Sequence, residues 1–147
     1  MFMRLILTCI CLFLFNSFIF SHCQIPCGIY GDANQFEDLF QHVQTIKKSM
    51  IKLTEDTLNS NQSVRWVMNK EEHASNIQDV MNHYFLSQRV KPVQSSNKQA
   101  YKRYSTLLVY AHDVIVLAMK AKQNTDVKVA ISLKESLVRF QDYYNNK

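Results

Sequence analysis

The chain has 147 residues and a formal net charge of +5, from 17 Lys and Arg against 12 Asp and Glu, and 47% of its residues are hydrophobic. That length suits one domain with a modest core, and the basic side chains are scattered rather than gathered into a stripe, which argues against a nucleic-acid partner. The chain has two glycines, two prolines and four cysteines, with no internal repeat and no low-complexity segment outside its apolar N-terminal run.

The first element is the leader MFMRLILTCICLFLFNSFIFS. One early basic residue, Arg4, precedes an apolar run from Leu5 to Phe15, and a second run from Phe18 to Phe20 ends at the small residue Ser21. This is the layout of a secretory signal peptide over residues 1–21. The rival reading is a membrane anchor, because the run approaches the length of a spanning helix. The polar break at Asn16 and Ser17, followed by a small residue, favours cleavage, which makes His22 the new N-terminus and leaves no stable membrane span. Cys9, Cys11 and Arg4 leave with the leader. The expectation is an exported protein, in a periplasm or other envelope space or fully secreted.

Residues 22–32, HCQIPCGIYGD, hold both glycines, one of the two prolines and the two remaining cysteines. With His22 as a free terminus, five donors can reach one ion: the terminal amine, the imidazole, the amide nitrogen between His22 and Cys23, and the Cys23 and Cys27 thiolates. The amine, that amide nitrogen and the Cys23 sulfur close two fused five-membered chelate rings, and Cys27 folding back completes a plane. Two nitrogens and two sulfurs in a plane suit nickel(II) or copper(II), whereas zinc asks for a tetrahedron. Nickel fits best, because thiolates tend to reduce copper(II). Pro26 sets a turn that brings Cys27 back, and Gly28 supplies dihedral freedom past it. Other readings stay open. Cysteines four apart in an exported chain can form a disulfide, and Tyr30 can simply pack this segment against the remainder of the chain. Acylation of Cys23 is disfavoured by the bulk of His22.

From Ala33 onward there is no glycine and one proline, Pro92, so residues 33–147 are expected to be long helices. The first carries Phe36, Leu39, Phe40, Val43, Ile46, Met50, Leu53 and Leu58 on one face. Ser60 and Asn61 are cap formers for a second, whose apolar positions are Val64, Val67, Met68, Ile77, Val80, Met81, Tyr84 and Phe85, with KEEHASN as a polar middle. It should stop before Pro92. After the polar loop PVQSSNK, a third helix starts at Lys98 with Tyr101, Tyr104, Leu107, Leu108, Ala111, Val114, Ile115 and Ala118 and ends near Lys122. Asn124, Thr125 and Asp126 are cap formers for a fourth, with Val127, Ala130, Ile131, Leu133, Leu137, Val138 and Phe140 inward. Short connections between four amphipathic helices predict an all-α, antiparallel four-helix bundle behind an N-terminal metal-binding hook. Tyr101, Tyr104, Tyr110, Tyr143 and Tyr144 read as core or subunit contacts. His42, His83 and His112 lack metal-ligand spacing and read as surface or satisfied structural side chains.

His22, Cys23, Pro26, Cys27, Gly28 and Tyr30 reproduce the pattern H-C-x-x-P-C-G-x-Y, which resembles the mature N-terminus of nickel-containing superoxide dismutases. Tyr84, Phe85, Lys91 and Pro92 look like a looser version of that family's tyrosine, phenylalanine, lysine, proline segment. The resemblance implies disproportionation of superoxide to oxygen and hydrogen peroxide at one nickel ion per chain that cycles between Ni(II) and Ni(III). It implies metal ligation by His22, Cys23 and Cys27, with the His22 imidazole as the axial ligand, and it places Tyr30 along the approach to the open face. The family supports the axial imidazole with a glutamate on the first helix and an arginine on the second. Glu37 matches the glutamate if one residue is missing after Tyr30, where Gly31 and Asp32 stand in place of the family's aspartate and proline; Glu37 can equally favour the first turn of its helix. For the arginine, aligning KEEHA places His73 at the position, and Arg65 lies about two turns earlier. The family also implies a homo-oligomer, a hexamer. Beside the enzyme stand two other readings: an exported nickel or copper carrier without turnover, and a disulfide-closed helical binding module.

Overall fold

The structure is a computed structural model that describes residues 31–146, and four helices account for most of them. Helix α1 spans Asp32–Leu53. Extended backbone at Gly31 delivers the chain into it, and Asp32 in its first turn and Lys52 in its last complement the helix dipole. Phe36, Leu39, Val43, Ile46 and Met50 are buried along one stripe, as their spacing predicts. The helix ends at Leu53, and Leu58 falls in the connecting turn instead of extending the stripe.

Helix α2 spans Ser60–Asp79, and its cap is Asn59, whose side chain accepts the Gln62 N–H at 2.9 Å. The sequence pattern misplaces its first half. Val64, Val67 and Met68 are 57%, 41% and 65% exposed, and the inward positions are Lys70, Ala74 and Ile77. Nine residues make about two and a half helical turns, so Met68 lies on the side opposite Ile77. The stretch expected to be polar therefore carries the inward face. Lys70 is buried because its ammonium closes the end of another helix: Nζ donates to the Ala121 carbonyl at 2.7 Å and to the Lys122 carbonyl, with Glu71 Oε1 at 3.1 Å.

A π-helical segment, Val80–Arg89, continues α2 without a break. Its bonds reach five residues back: Val90 N–H to Phe85 O at 2.8 Å, Ser87 Oγ to Asn82 O at 2.6 Å, and Gln88 Nε2 to His83 O at 2.8 Å. The wider turn buries the adjacent Tyr84 and Phe85 together. The helical run stops three residues before Pro92, as expected. Helix α3 spans Lys98–Gln123, capped by Asn97, and α4 spans Val127–Asn145, capped by Asp126.

The four helices form the expected antiparallel bundle: each packs on its sequence neighbour, and α4 closes against α1. Among the described residues there is no strand, and no helix is long and apolar enough to cross a membrane. Inside α3 and α4, Leu107, Ala111, Val114, Ala118, Ala130, Leu133, Leu137 and Phe140 are buried. Ile131 and Val138, expected inward, are 43% and 36% exposed. Tyr101 is 43% exposed, whereas Tyr104, Tyr110, Tyr143 and Tyr144 pack against the core. One end of the bundle is aromatic. Phe36 lies 4.7 Å from Phe85 and 5.9 Å from Phe140 between ring centroids, and Phe85 meets Phe140 edge-on at 5.1 Å and Tyr144 at 5.4 Å. This is the end from which the N-terminal segment departs.

Candidate metal centre

His22, Cys23, Cys27 and Tyr30 lie outside the described residues. Among the described residues, no group of three or more His, Cys, Asp or Glu side chains is placed to hold a metal ion.

Asp32 is the first residue of α1. Its Oδ1 accepts the Tyr84 hydroxyl at 2.6 Å and Arg89 Nε at 3.0 Å, and its Oδ2 accepts the Tyr144 hydroxyl at 2.7 Å. Arg89 also donates through Nη2 to the Tyr84 oxygen at 2.7 Å, and its guanidinium lies 4.6 Å over the Tyr84 ring. The π-helical repeat places Arg89 there, because it sets residues five apart over one another. Three elements thus converge on one carboxylate. Partial burial alone would raise the Asp32 pKa, but the tyrosine hydrogen bonds and the Arg89 charge outweigh it and hold the carboxyl below its ordinary range. Burial, and then the bond to Asp32, raise the Tyr84 and Tyr144 phenols.

Beside this cluster runs an open groove lined by Arg89, Val90, Lys91, Arg103, Tyr104 and Tyr144, among others. Arg103 is fixed there by the Tyr144 carbonyl at 3.0 Å and by the Asn146 carbonyl. Asp32 offsets Arg89, and Lys91 and Arg103 have no acidic partner among the described residues.

Farther along α1, His42 Nδ1 lies 2.7 Å from His73 Nδ1 of α2. Both rings are half-buried, with centroids 4.9 Å apart. Burial, and then the neighbouring His73, lower the His42 pKa, while Asp38 and Glu72 act in the opposite sense. His73, one of the second-helix candidates named from the sequence, faces the first helix. Glu37 is exposed; the acidic residue of α1 that acts on His42 is Asp38, one helical turn before it. Arg65 is exposed near the start of α2.

Sequence reasoning missed the Asp32 cluster and the His42–His73 pair. The partners of Asp32 are 52, 57 and 112 positions away, and no local pattern announces them. For the histidines, the one available signal was the helical phase of α2 set by Ala74 and Ile77, which turns His73 toward α1.

An antiparallel four-helix bundle with no strand among the described residues defines an all-α protein. The model of the family described as nickel-containing superoxide dismutase matches residues 18–147, and the chain belongs to that family. It is an oxidoreductase, a superoxide dismutase, and nickel is its metal. No curated protein and no solved structure matches the chain.

Proposed function

We propose that this superoxide dismutase works from residues 22–32, after export and removal of residues 1–21, with one nickel held by the His22 amine and imidazole, the amide nitrogen of Cys23, and the Cys23 and Cys27 thiolates. The observation that carries this reading is the family match over residues 18–147, which takes in the whole H-C-x-x-P-C-G-x-Y pattern directly behind a processing signal. The donor set fits: anionic sulfur and amide nitrogen stabilise the higher oxidation state of a metal that favours a plane. Nickel would supply one-electron exchange with superoxide by cycling between Ni(II) and Ni(III).

The chain's own residues do the rest. Tyr30 lines the approach, excludes molecules larger than superoxide and orders water that supplies protons. Glu37 is the residue of the first helix that would support the His22 imidazole. On the second helix the candidates are His73 and Arg65, and the contact of His73 with His42 of α1 favours His73. Lys91 and Arg103 beside the root of the segment attract the superoxide anion, with the ionic-strength dependence such steering has. A homo-oligomer, a hexamer as in the family, is supported by apolar side chains left on the outside, Val64 and Met68 above all. The compartment is an envelope space or the exterior.

The test is superoxide decay followed with the chain beginning at His22, reconstituted with nickel, beside Cys27→Ser and the untrimmed precursor. Activity should require the trimmed chain, nickel and Cys27 together. Equal activity of the precursor would remove the terminal amine from the ligand set.

A further inference from the structure

Two surfaces of the bundle carry matching apolar side chains and opposite charge. The inward phase of α2 is set by Lys70, Ala74 and Ile77. At about 100° per residue, the side that points away from them carries Met68, Glu72 and Asp79, with Val64 one turn before Met68, and all four are exposed. On another side of the bundle, α1 and α4 leave a groove of about 760 Å³ between them. The buried Val43 and Ala130 form its floor, the exposed Ile131 and Val138 stand along it, and Lys47, Lys134 and Arg139 are the cations that line it. The strip on α2 is thus apolar and acidic, and the groove is apolar and basic. Each has one exception, Arg65 beside the strip and Glu135 in the groove, and these two are again opposite in sign. None of these charged side chains is in an ion pair among the described residues.

We infer, resting on the homo-oligomer reading above, that the groove between α1 and α4 takes the outward strip of α2 from a second copy of this chain. Apolar side chains scattered singly over a surface are ordinary. Here Val64 and Met68 stand one turn apart on α2, and Ile131 and Val138 two turns apart on α4, which is the spacing of anchors on a helix laid along a groove. The charges that flank them select the partner: Glu72 and Asp79 suit Lys47, Lys134 and Arg139, and Arg65 suits Glu135. A lipid surface matches this site less well, because a cleft between two helices with a carboxylate in it presents no flat basic face. Strip and groove lie on different sides of one chain, so the contact is head-to-tail, and successive copies close into a ring when the rotation between them permits.

The experiment follows self-association by sedimentation velocity over a concentration series, on protein purified from cells supplied with nickel, with circular dichroism to show that each variant is folded. Four proteins are compared: wild type, a strip reversal (Glu72→Lys with Asp79→Lys), a groove reversal (Lys134→Glu with Arg139→Glu), and Lys102→Glu, which reverses an exposed charge of α3 that lies on neither surface. Each paired reversal should weaken association at least about tenfold, as juxtaposed like charges do, and Lys102→Glu should leave it unchanged. Mixed together, the two reversed proteins should associate more tightly than either does alone, because the strip of each then meets a groove of opposite charge in the other. Association that survives either reversal, a mixture no tighter than its components, or an equal loss in Lys102→Glu overturns the inference while leaving the homo-oligomer standing. A wild-type chain that stays monomeric throughout the series overturns both, and if that monomer binds phosphatidylglycerol vesicles and the groove reversal abolishes the binding, the groove belongs to a lipid surface instead.

Discussion

His42 Nδ1 and His73 Nδ1 face each other at 2.7 Å across the contact of α1 and α2. One ring must donate and the other accept, so the pair can carry one charge but not two: with both rings protonated, two N–H groups would point at each other. Asp38 and Glu72 temper this without cancelling it, since the His42 pKa is still lowered from 6.5 by burial and by His73.

The sign of the pH dependence follows. A depressed histidine contributes stability that is fully present above its unfolded value, near 6.5, and is lost as pH falls from there through the lower folded value. Unfolding free energy measured in urea should therefore decline between about pH 7 and pH 5, and the decline should flatten in His42→Gln. An identical slope in the two proteins would show that His42 does not titrate as described.

Lys70 satisfies the Ala121 and Lys122 carbonyls at the end of α3. Lys70→Met keeps most of the buried stem and removes the donor, leaving two carbonyls at a helix terminus without it. The expected loss is about 2 kcal/mol by denaturant titration. A change below about 0.5 kcal/mol would mean that water replaces the ammonium freely.

Ser136 in α4 is buried, and its hydroxyl has no hydrogen-bond partner among the described residues. Because a desolvated hydroxyl without a partner is a cost to the folded state, Ser136→Ala should be neutral or stabilise by up to about 1 kcal/mol. Destabilisation by more than about 1 kcal/mol would reveal a partner for that oxygen.

At the aromatic end, Phe85 touches Phe36, Tyr84, Phe140 and Tyr144. Phe85→Ala should cost about 3–5 kcal/mol, whereas Phe85→Leu should cost far less. Near-UV circular dichroism should register the loss of ring packing in both.

Helix existence was legible because it rests on local signals. The absence of glycine after Gly31, the cap at Asp126, and the Phe36–Met50 stripe all act within a few residues. The phase of α2 was not legible: Val64 and Met68 look like core, and Lys70 looks like surface, unless the α3 carbonyls that receive the ammonium are known. The π-helical segment has no sequence mark, although it is what places Arg89 over Tyr84 and lets both reach Asp32. The candidate donors His22, Cys23 and Cys27 sit within six residues and lie outside the described residues; the Asp32 cluster could not be read from the sequence, because its members meet only in the folded bundle.

The most direct measurement is the intact mass and nickel content of protein purified from cells supplied with nickel. The account predicts a chain that begins at His22 and carries about one nickel, the stoichiometry its single donor set allows. A chain that begins at another residue, or one that begins at His22 with Cys23 and Cys27 joined as a disulfide and no metal, would contradict it.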